Sequence, residues 1–156
     1  LEKLYNVKGR PAHNPVLLVV ADDAQLEAVV AEVPAAARPY MDAFWPGPLS
    51  LLFPRHPDLP DAVTAGAAKV AVRCPGHEAV RALCRAFGAA ITSTSANPAG
   101  MPPAHNPRVL TELHGVALVV DGGVLPESAP STLFDPETGA VLRAGAVSAE
   151  ALARVR

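Results

Sequence analysis

Apolar residues in this chain fall in short clusters, and the spacing within each cluster sets the element it predicts. Leu1 and Leu4 share a helical face, so Leu1 to Val7 reads as the tail of a helix that Gly9 can end. Val16 to Val20 is a continuous aliphatic run and predicts a buried strand. Asp22 then caps a helix through Val33, with Gln25 at the capping-box position. Pro39 opens a short helix to Phe44, and Trp45-Pro46-Gly47-Pro48 forms a rigid turn before a strand from Leu49 to Phe53. Pro54 to Gly66 reads as loop. Lys69 to Arg73 alternates as a strand does, Pro75-Gly76 stops it, and His77 to Phe87 carries Val80, Leu83, Cys84 and Phe87 at helical spacing before Gly88.

The second half alternates in the same way. Ala89 to Thr92 predicts a strand, and a polar, turn-rich stretch follows from Ser93 to Pro107. Asn106-Pro107 starts a helix that Gly115 ends, Val116 to Val120 predicts another strand, and Asp121-Gly122-Gly123 turns out of it. Ser131 to Asp135 and Ala140 to Arg143 flank a Pro136 to Gly139 turn, and Ser148 caps a last helix. No repeat or linker interrupts this order, which predicts one α/β domain built on a mixed sheet.

Composition narrows the picture. The 156 residues are half apolar and 18% charged, which excludes intrinsic disorder as a description of the whole. Aromatics supply only 4% and about one residue in five is Ala, so the core is built from small and branched aliphatic side chains. The 17 prolines disfavour long bundles and coiled coils. A net charge of −2 excludes a globally basic nucleic-acid binder but leaves room for a local basic pocket. Two cysteines, Cys74 and Cys84, are too few for a disulfide framework. No apolar run approaches the roughly 20 residues of a membrane span, and no signal-peptide pattern opens the chain, so a cytoplasmic protein without membrane partners is expected.

The common nucleotide signatures, G-x-x-x-x-G-K-[ST] and G-x-G-x-x-G, are absent. Lys8-Gly9-Arg10-Pro11 offers another construction, with two cations across a glycine able to point at one phosphate cluster. Taken alone, that segment is more ordinary as a solvated basic loop. Ser93-Thr94-Ser95-Ala96-Asn97-Pro98 follows a predicted strand, where α/β proteins place ligands, yet it also suits a turn that satisfies its own backbone. Arg73 ends a strand of small apolar residues and serves equally as a ligand cation or a surface ion-pair partner. Cys74 and His77 have metal-like spacing without a second pair, so no metal site is expected. His13, His56, His105 and His114 sit in Pro-rich or helix-end settings and read as surface residues. There is no G-x-S-x-G elbow and nothing to tie a His and an Asp to a serine.

Five blocks in order carry a more specific message: Lys8-Gly9-Arg10-Pro11-Ala12-His13-Asn14-Pro15, Phe44-Trp45-Pro46-Gly47-Pro48-Leu49-Ser50, Val70-Ala71-Val72-Arg73-Cys74-Pro75, Ser95-Ala96-Asn97 and Leu142-Arg143-Ala144-Gly145-Ala146. Together they resemble the threonylcarbamoyl-AMP synthase (YrdC-like) family over nearly the entire chain. The resemblance implies a twisted mixed α/β sheet with flanking helices around a deep basic cavity. It implies an enzyme, a nucleotidyltransferase that joins L-threonine, bicarbonate and ATP into threonylcarbamoyl-AMP and pyrophosphate for threonylcarbamoyladenosine modification of tRNA. ATP is then a substrate, Mg2+ accompanies it, and the partners are proteins that transfer threonylcarbamoyl to tRNA.

By the same resemblance Lys8 and Arg10 hold phosphates as the catalytic cations, and Asn14 closes their loop. Ser95, Asn97 and Arg143 contact ATP, and Lys69 aligns with a nucleotide-contacting position. Arg73 pairs with the threonine carboxylate, with Ser93 and Ser131 lining the amino-acid end. Several positions depart from the family. The family's opening strand and Pro-Thr-x-Thr-type turn are not in the sequence, so residues 1–156 are expected to form a single domain lacking that strand. Val19 stands where a histidine near threonine is common, Pro103 where a serine often touches ATP, and Ala129-Pro130-Ser131-Thr132 replaces a Glu-Ser-Thr turn. The competing expectations are a YrdC-like module that binds tRNA or double-stranded RNA through the same cations, or a paralogue that activates a different carbamate.

Overall fold

In a computed structural model, which describes residues 1–9, 11, 13–112 and 115–155, six strands form one mixed sheet in the order β4-β1-β3-β2-β5-β6. They are β1 (Leu17–Val19), β2 (Leu49–Pro54), β3 (Lys69–Arg73), β4 (Ile91–Ser93), β5 (Thr132–Asp135) and β6 (Ala140–Arg143). The helices are α1 (Glu2–Lys8), α2 (Asp23–Glu27), α3 (Arg38–Phe44), α4 (Asp61–Thr64), α5 (Glu78–Phe87) and α6 (Ala149–Ala153), with 3-10 turns at Ala35–Ala37 and Pro107–Glu112. β1 runs parallel to β3 and β2 parallel to β5, whereas β1–β4, β2–β3 and β5–β6 are antiparallel. Among the described residues no helix is long and apolar enough to cross a membrane.

Strand alternation divides the sheet into two unlike faces. Leu18, Val20, Leu49, Leu51, Phe53, Val70, Val72 and Phe134 pack on one side with Leu26 of α2, Met41 of α3, Val63 of α4 and Leu152 of α6, forming the main core. The alternate residues point the other way. There Val19 and Ala21 meet Cys84 of α5, with Val80 and Ile91 against them. The rest of that face carries Arg73, Ala71 and Lys69 of β3, Ser50 and Leu52 of β2, and Leu133 and Asp135 of β5. The functional candidates therefore share the face that the main core leaves open.

Most strands fall within a residue of the hydrophobic pattern, and four segments do not follow it. The helix opened by Asp22 ends at Glu27, not Val33. Beyond it the backbone turns to pair with the end of β2: Ala31 N donates to Pro54 O (2.9 Å), His56 N to Val29 O (3.0 Å), and Val30 bridges Arg55. Sheet pairing outcompetes helix propagation there. The segment Pro54 to Gly66 contains the single-turn helix α4, whose C-cap Ala65 takes a left-handed φ of 53°. Val116 to Val120 does not join the sheet, and Val116, Leu118 and Val120 are exposed. An aliphatic run makes a strand only when it meets an edge, and among the described residues none pairs with it. The predicted helix after Asn106 is a tight 3-10 turn, with Asn106 Oδ1 accepting from Arg108 N at 3.0 Å. Residues 113 and 114, just before the expected stop at Gly115, lie outside the described residues.

Candidate functional site

The Trp45–Pro48 turn positions the first cation. Gly47 N donates to Cys74 O (2.9 Å), and Arg73 Nε donates back to Gly47 O (2.8 Å), which laces the turn to the end of β3. Trp45 Nε1 closes the turn on Leu49 O at 2.7 Å, and the Trp45–Pro46 peptide is cis. Residue 47 must be glycine, because a Cβ would meet Phe44 O at 2.2 Å. With Nε committed, the two terminal nitrogens of Arg73 have no partner among the described residues and form a planar fork suited to a carboxylate or phosphate.

Arg143, at the end of β6, is held beside it. Its Nε and Nη2 donate to Ser131 O (3.1 and 2.8 Å), and Nη2 also reaches Ser131 Oγ at 2.9 Å. Ser131 Oγ lies 2.8 Å from Ser50 Oγ, and both serines are buried. Gly145 makes this approach possible, since a Cβ there would sit 2.2 Å from Pro130 O and 2.6 Å from Ser131 C. Burial pushes the Arg73 guanidinium below its ordinary pKa, and the neighbouring Arg143 charge adds to the shift. Among the described residues no carboxylate forms an ion pair with either arginine. Two like charges held together without a counter-charge make a site that calls for an anion.

A second group lies toward the β4 side. Lys8, buried at the end of α1, donates to Asn97 Oδ1 at 2.8 Å and to the Ser95 carbonyl, so α1 is pinned to the loop after β4. Ser95 and Asn97 are hydrogen-bonded to each other, and Ala99 N donates to Lys8 O at 2.8 Å. These residues line a cavity of about 590 Å³ whose other walls are mainly apolar, from α1, Leu110, Val116 and Leu118 to Val120. Ser93 ends β4 on the same sheet face as Arg73: its partner in β1 is Leu17, while Arg73 pairs with Val19. Two strand spacings and two residues separate their Cα atoms, roughly 12 Å. Asn14 is half-buried in the turn between α1 and β1, with its carbonyl accepting from Tyr5 at 3.0 Å. Arg10 lies outside the described residues.

Lys69 is not brought to either group. It shares the face with Arg73 but starts β3, four residues and about 13 Å along the strand. Its ammonium is held by Asp135 (2.7 Å) and Glu137 (2.8 Å). Val19 packs into the small cluster against α5, so its side chain is core. Pro103 is exposed. Cys74 and Cys84 are buried free thiols donating to Ala21 O and Val19 O, and burial raises both above the ordinary thiol range. Reading the sequence assigns no role to Ser50 or to the Gly47 carbonyl. The available signal for Ser50 was a hydroxyl inside the aliphatic strand Leu49–Phe53; for Gly47 there was only its place between two prolines.

A mixed α/β sheet with two arginines that have no carboxylate partner among the described residues, at one end of its open face, defines the class: an α/β protein with a site suited to anions. The Sua5/YciO/YrdC family model, described as "Telomere recombination", matches residues 1–145, and the chain belongs to this family. It is 38% identical over 160 residues to a threonylcarbamoyl-AMP synthase of Bacillus subtilis, covering 99% of this chain and 46% of that protein. It is 37% identical over 145 residues to the Thiobacillus denitrificans threonylcarbamoyl-AMP synthase, covering 92% and 77%. The crystal structure of Pyrococcus abyssi Sua5 complexed with L-threonine superposes with a TM-score of 0.92 at 32% identity, covering 99% of this chain and 46% of that one. The chain thus spans about half the length of some relatives and three quarters of others.

Proposed function

We propose that this chain carries the threonylcarbamoyl-AMP synthase reaction, converting L-threonine, bicarbonate and ATP into threonylcarbamoyl-AMP and pyrophosphate. The observation that carries the reading is the Arg73–Arg143 pair, two cations on one face with no carboxylate partner among the described residues. The relatives' printed activity and the threonine bound to the Pyrococcus abyssi protein support the same substrates.

In this reading the Arg73 fork takes the threonine carboxylate, with Ser131 and Ser93 beside it. Lys8, Arg10, Asn14, Ser95 and Asn97 hold the nucleotide, and Arg143 lies between the two substrates. The threonine amine and bicarbonate give a carbamate and water. A carbamate oxygen then attacks the α-phosphorus of ATP, and the bond to the β-phosphate oxygen breaks to release pyrophosphate. The protein's contribution is positioning and neutralisation of the phosphate charge. No three His, Cys, Asp or Glu side chains gather into a metal-holding group among the described residues. The described residues therefore offer no dedicated Mg2+ cage, and Mg2+ would arrive on the ATP phosphates. Lys69, tied to two carboxylates, is assigned no direct contact. Threonylcarbamoyl transfer to tRNA by later proteins, in the cytoplasm, belongs to the same proposal.

The test is pyrophosphate release from ATP by this protein. Release that requires both L-threonine and bicarbonate, and that serine and valine do not support, is the expected result. Steeply salt-dependent RNA binding without any release would replace the proposal with an RNA-binding module. Release driven better by another amine would point to a different carbamate.

A further inference from the structure

Ser50 is the one hydroxyl inside β2, and its side chain is fully buried. Among the described residues its hydroxyl has one partner, Ser131 Oγ at 2.8 Å. Ser131 Oγ also accepts from Arg143 Nη2 at 2.9 Å, because a guanidinium can only donate.

By its distance alone the Ser50–Ser131 contact allows either hydroxyl to donate, and burial separates the two arrangements. A serine hydroxyl has one proton and two lone pairs. If Ser131 donated to Ser50, the Ser50 proton would have no acceptor in a place that neither water nor ligand reaches, and a buried donor without an acceptor is costly. With Ser50 donating, the fully buried proton has its acceptor: Ser131 accepts from Ser50 and from Arg143, and the one proton left over is that of Ser131, the less buried of the two serines. Ser131 keeps 6% exposure, so that proton is the group's route to a ligand.

We infer that Ser50 is a positioning residue: by donating to Ser131 it fixes Ser131 as a hydrogen-bond donor to an anionic oxygen of the ligand held beside Arg143. The ligand atom is then a carboxylate or phosphate oxygen and not an ammonium or amide N–H. The identity of the ligand rests on the proposed function; the direction of the hydrogen bond does not.

The test is calorimetric titration of the wild type and of S50A, S50T, S131A and S50A/S131A with L-threonine and, separately, with inorganic pyrophosphate. S50A and S131A should each weaken the same one of the two ligands by about tenfold, and S50T should restore most of the loss. The double variant should bind no more weakly than S131A, since Ser50 acts through Ser131. The ligand that responds tells whether the oxygen is carboxylate or phosphate. Wild-type affinity of S50A for both ligands, or losses that multiply in the double variant, would overturn the inference. Should S50A fail to fold, S50C, similar in size but a weak donor, is expected to show the same loss, and wild-type affinity would overturn the inference. Wild-type binding of pyrophosphate without threonine would remove the proposed function, leaving Ser50 to be judged on the pyrophosphate arm. Binding of neither ligand by the wild type removes both.

Discussion

The open face of the sheet carries basic side chains at both ends of β3, and the two ends are built on opposite principles. At one end Arg73 and Arg143 are anchored by neutral acceptors, the Gly47 and Ser131 carbonyls and the Ser131 hydroxyl, with no carboxylate among the described residues paired to either. At the other, Lys69 is clamped between Asp135 and Glu137. The first arrangement fixes the direction of each cation without neutralising it and so leaves charge for a ligand. The second neutralises its cation and joins β3 to β5 across β2. A cation's partners, more than its presence, separate a binding end from a structural end.

The sharpest way to break this contrast is to remove an uncompensated charge. Arg73→Gln should lower kcat/KM for threonine-dependent pyrophosphate release by roughly 10- to 100-fold, the loss of a charge-assisted hydrogen-bonded contact. Its thermal midpoint should be unchanged or raised, because the repulsion from Arg143 and the burial of the guanidinium are both relieved. Arg73→Lys should restore little, since an ammonium cannot reach Gly47 O with one nitrogen and present a planar fork with two others. A large fall in stability with either substitution would make the arginine structural.

Gly47→Ala attacks the same end through the backbone. Its Cβ would lie 2.2 Å from Phe44 O, a main-chain atom that cannot swing aside. The turn must shift, at a cost of about 1–3 kcal/mol in urea unfolding, and Arg73 loses its anchor. Activity and stability should therefore fall together here, in contrast to Arg73→Gln.

These differences also explain what was legible in the sequence. Strands whose neighbours supply an edge, such as Lys69–Arg73 and Ala140–Arg143, fall where the pattern places them. Val116 to Val120 reads as a strand for the same local reason and is not one, because pairing is a property of the neighbour. The helix after Asp22 is cut short by a contact between Val30 and Arg55, 25 positions apart and invisible to any local window. At the site, Arg73 and Arg143 could be named from ordered blocks, but alternation alone gives no distance along a strand, so Lys69 reads like Arg73. Only the contacts with Asp135 and Glu137 separate them. Ser50 is silent in sequence because its meaning depends on Ser131, 81 positions away.

Asp135→Asn probes the compensated end. Burial alone would raise the Asp135 carboxyl, but the hydrogen bonds from Lys69 and from the Glu137 backbone outweigh it and hold the group below its ordinary 3.8. A depressed carboxyl contributes stability above its unfolded pKa and loses it as pH falls through the folded value. Wild type should exceed the variant by about 1 kcal/mol at neutral pH, and the gap should close below pH 3.8. Lys69, raised above 10.5 by hydrogen bonds to Asp135 and Glu137, adds stability below that value which is lost only in stronger alkali. Pyrophosphate release by the variant should stay within about twofold of wild type, because the substitution leaves Arg73, Arg143 and their anchors untouched.

Glu137→Gln should have the smallest effect and is the most discriminating. Glu137 is 40% exposed at its side chain against 10% for Asp135, so its pairing with Lys69 is made largely in water. Such a pair contributes below about 0.5 kcal/mol and less as salt is added. The urea midpoint should move slightly at low ionic strength and not measurably at high salt, while the Asp135→Asn deficit persists. Equal, salt-sensitive losses in both variants would show that Lys69 is held by a diffuse surface field. The contrast between the two ends of β3 would then reduce to net charge and not to the way each cation is anchored.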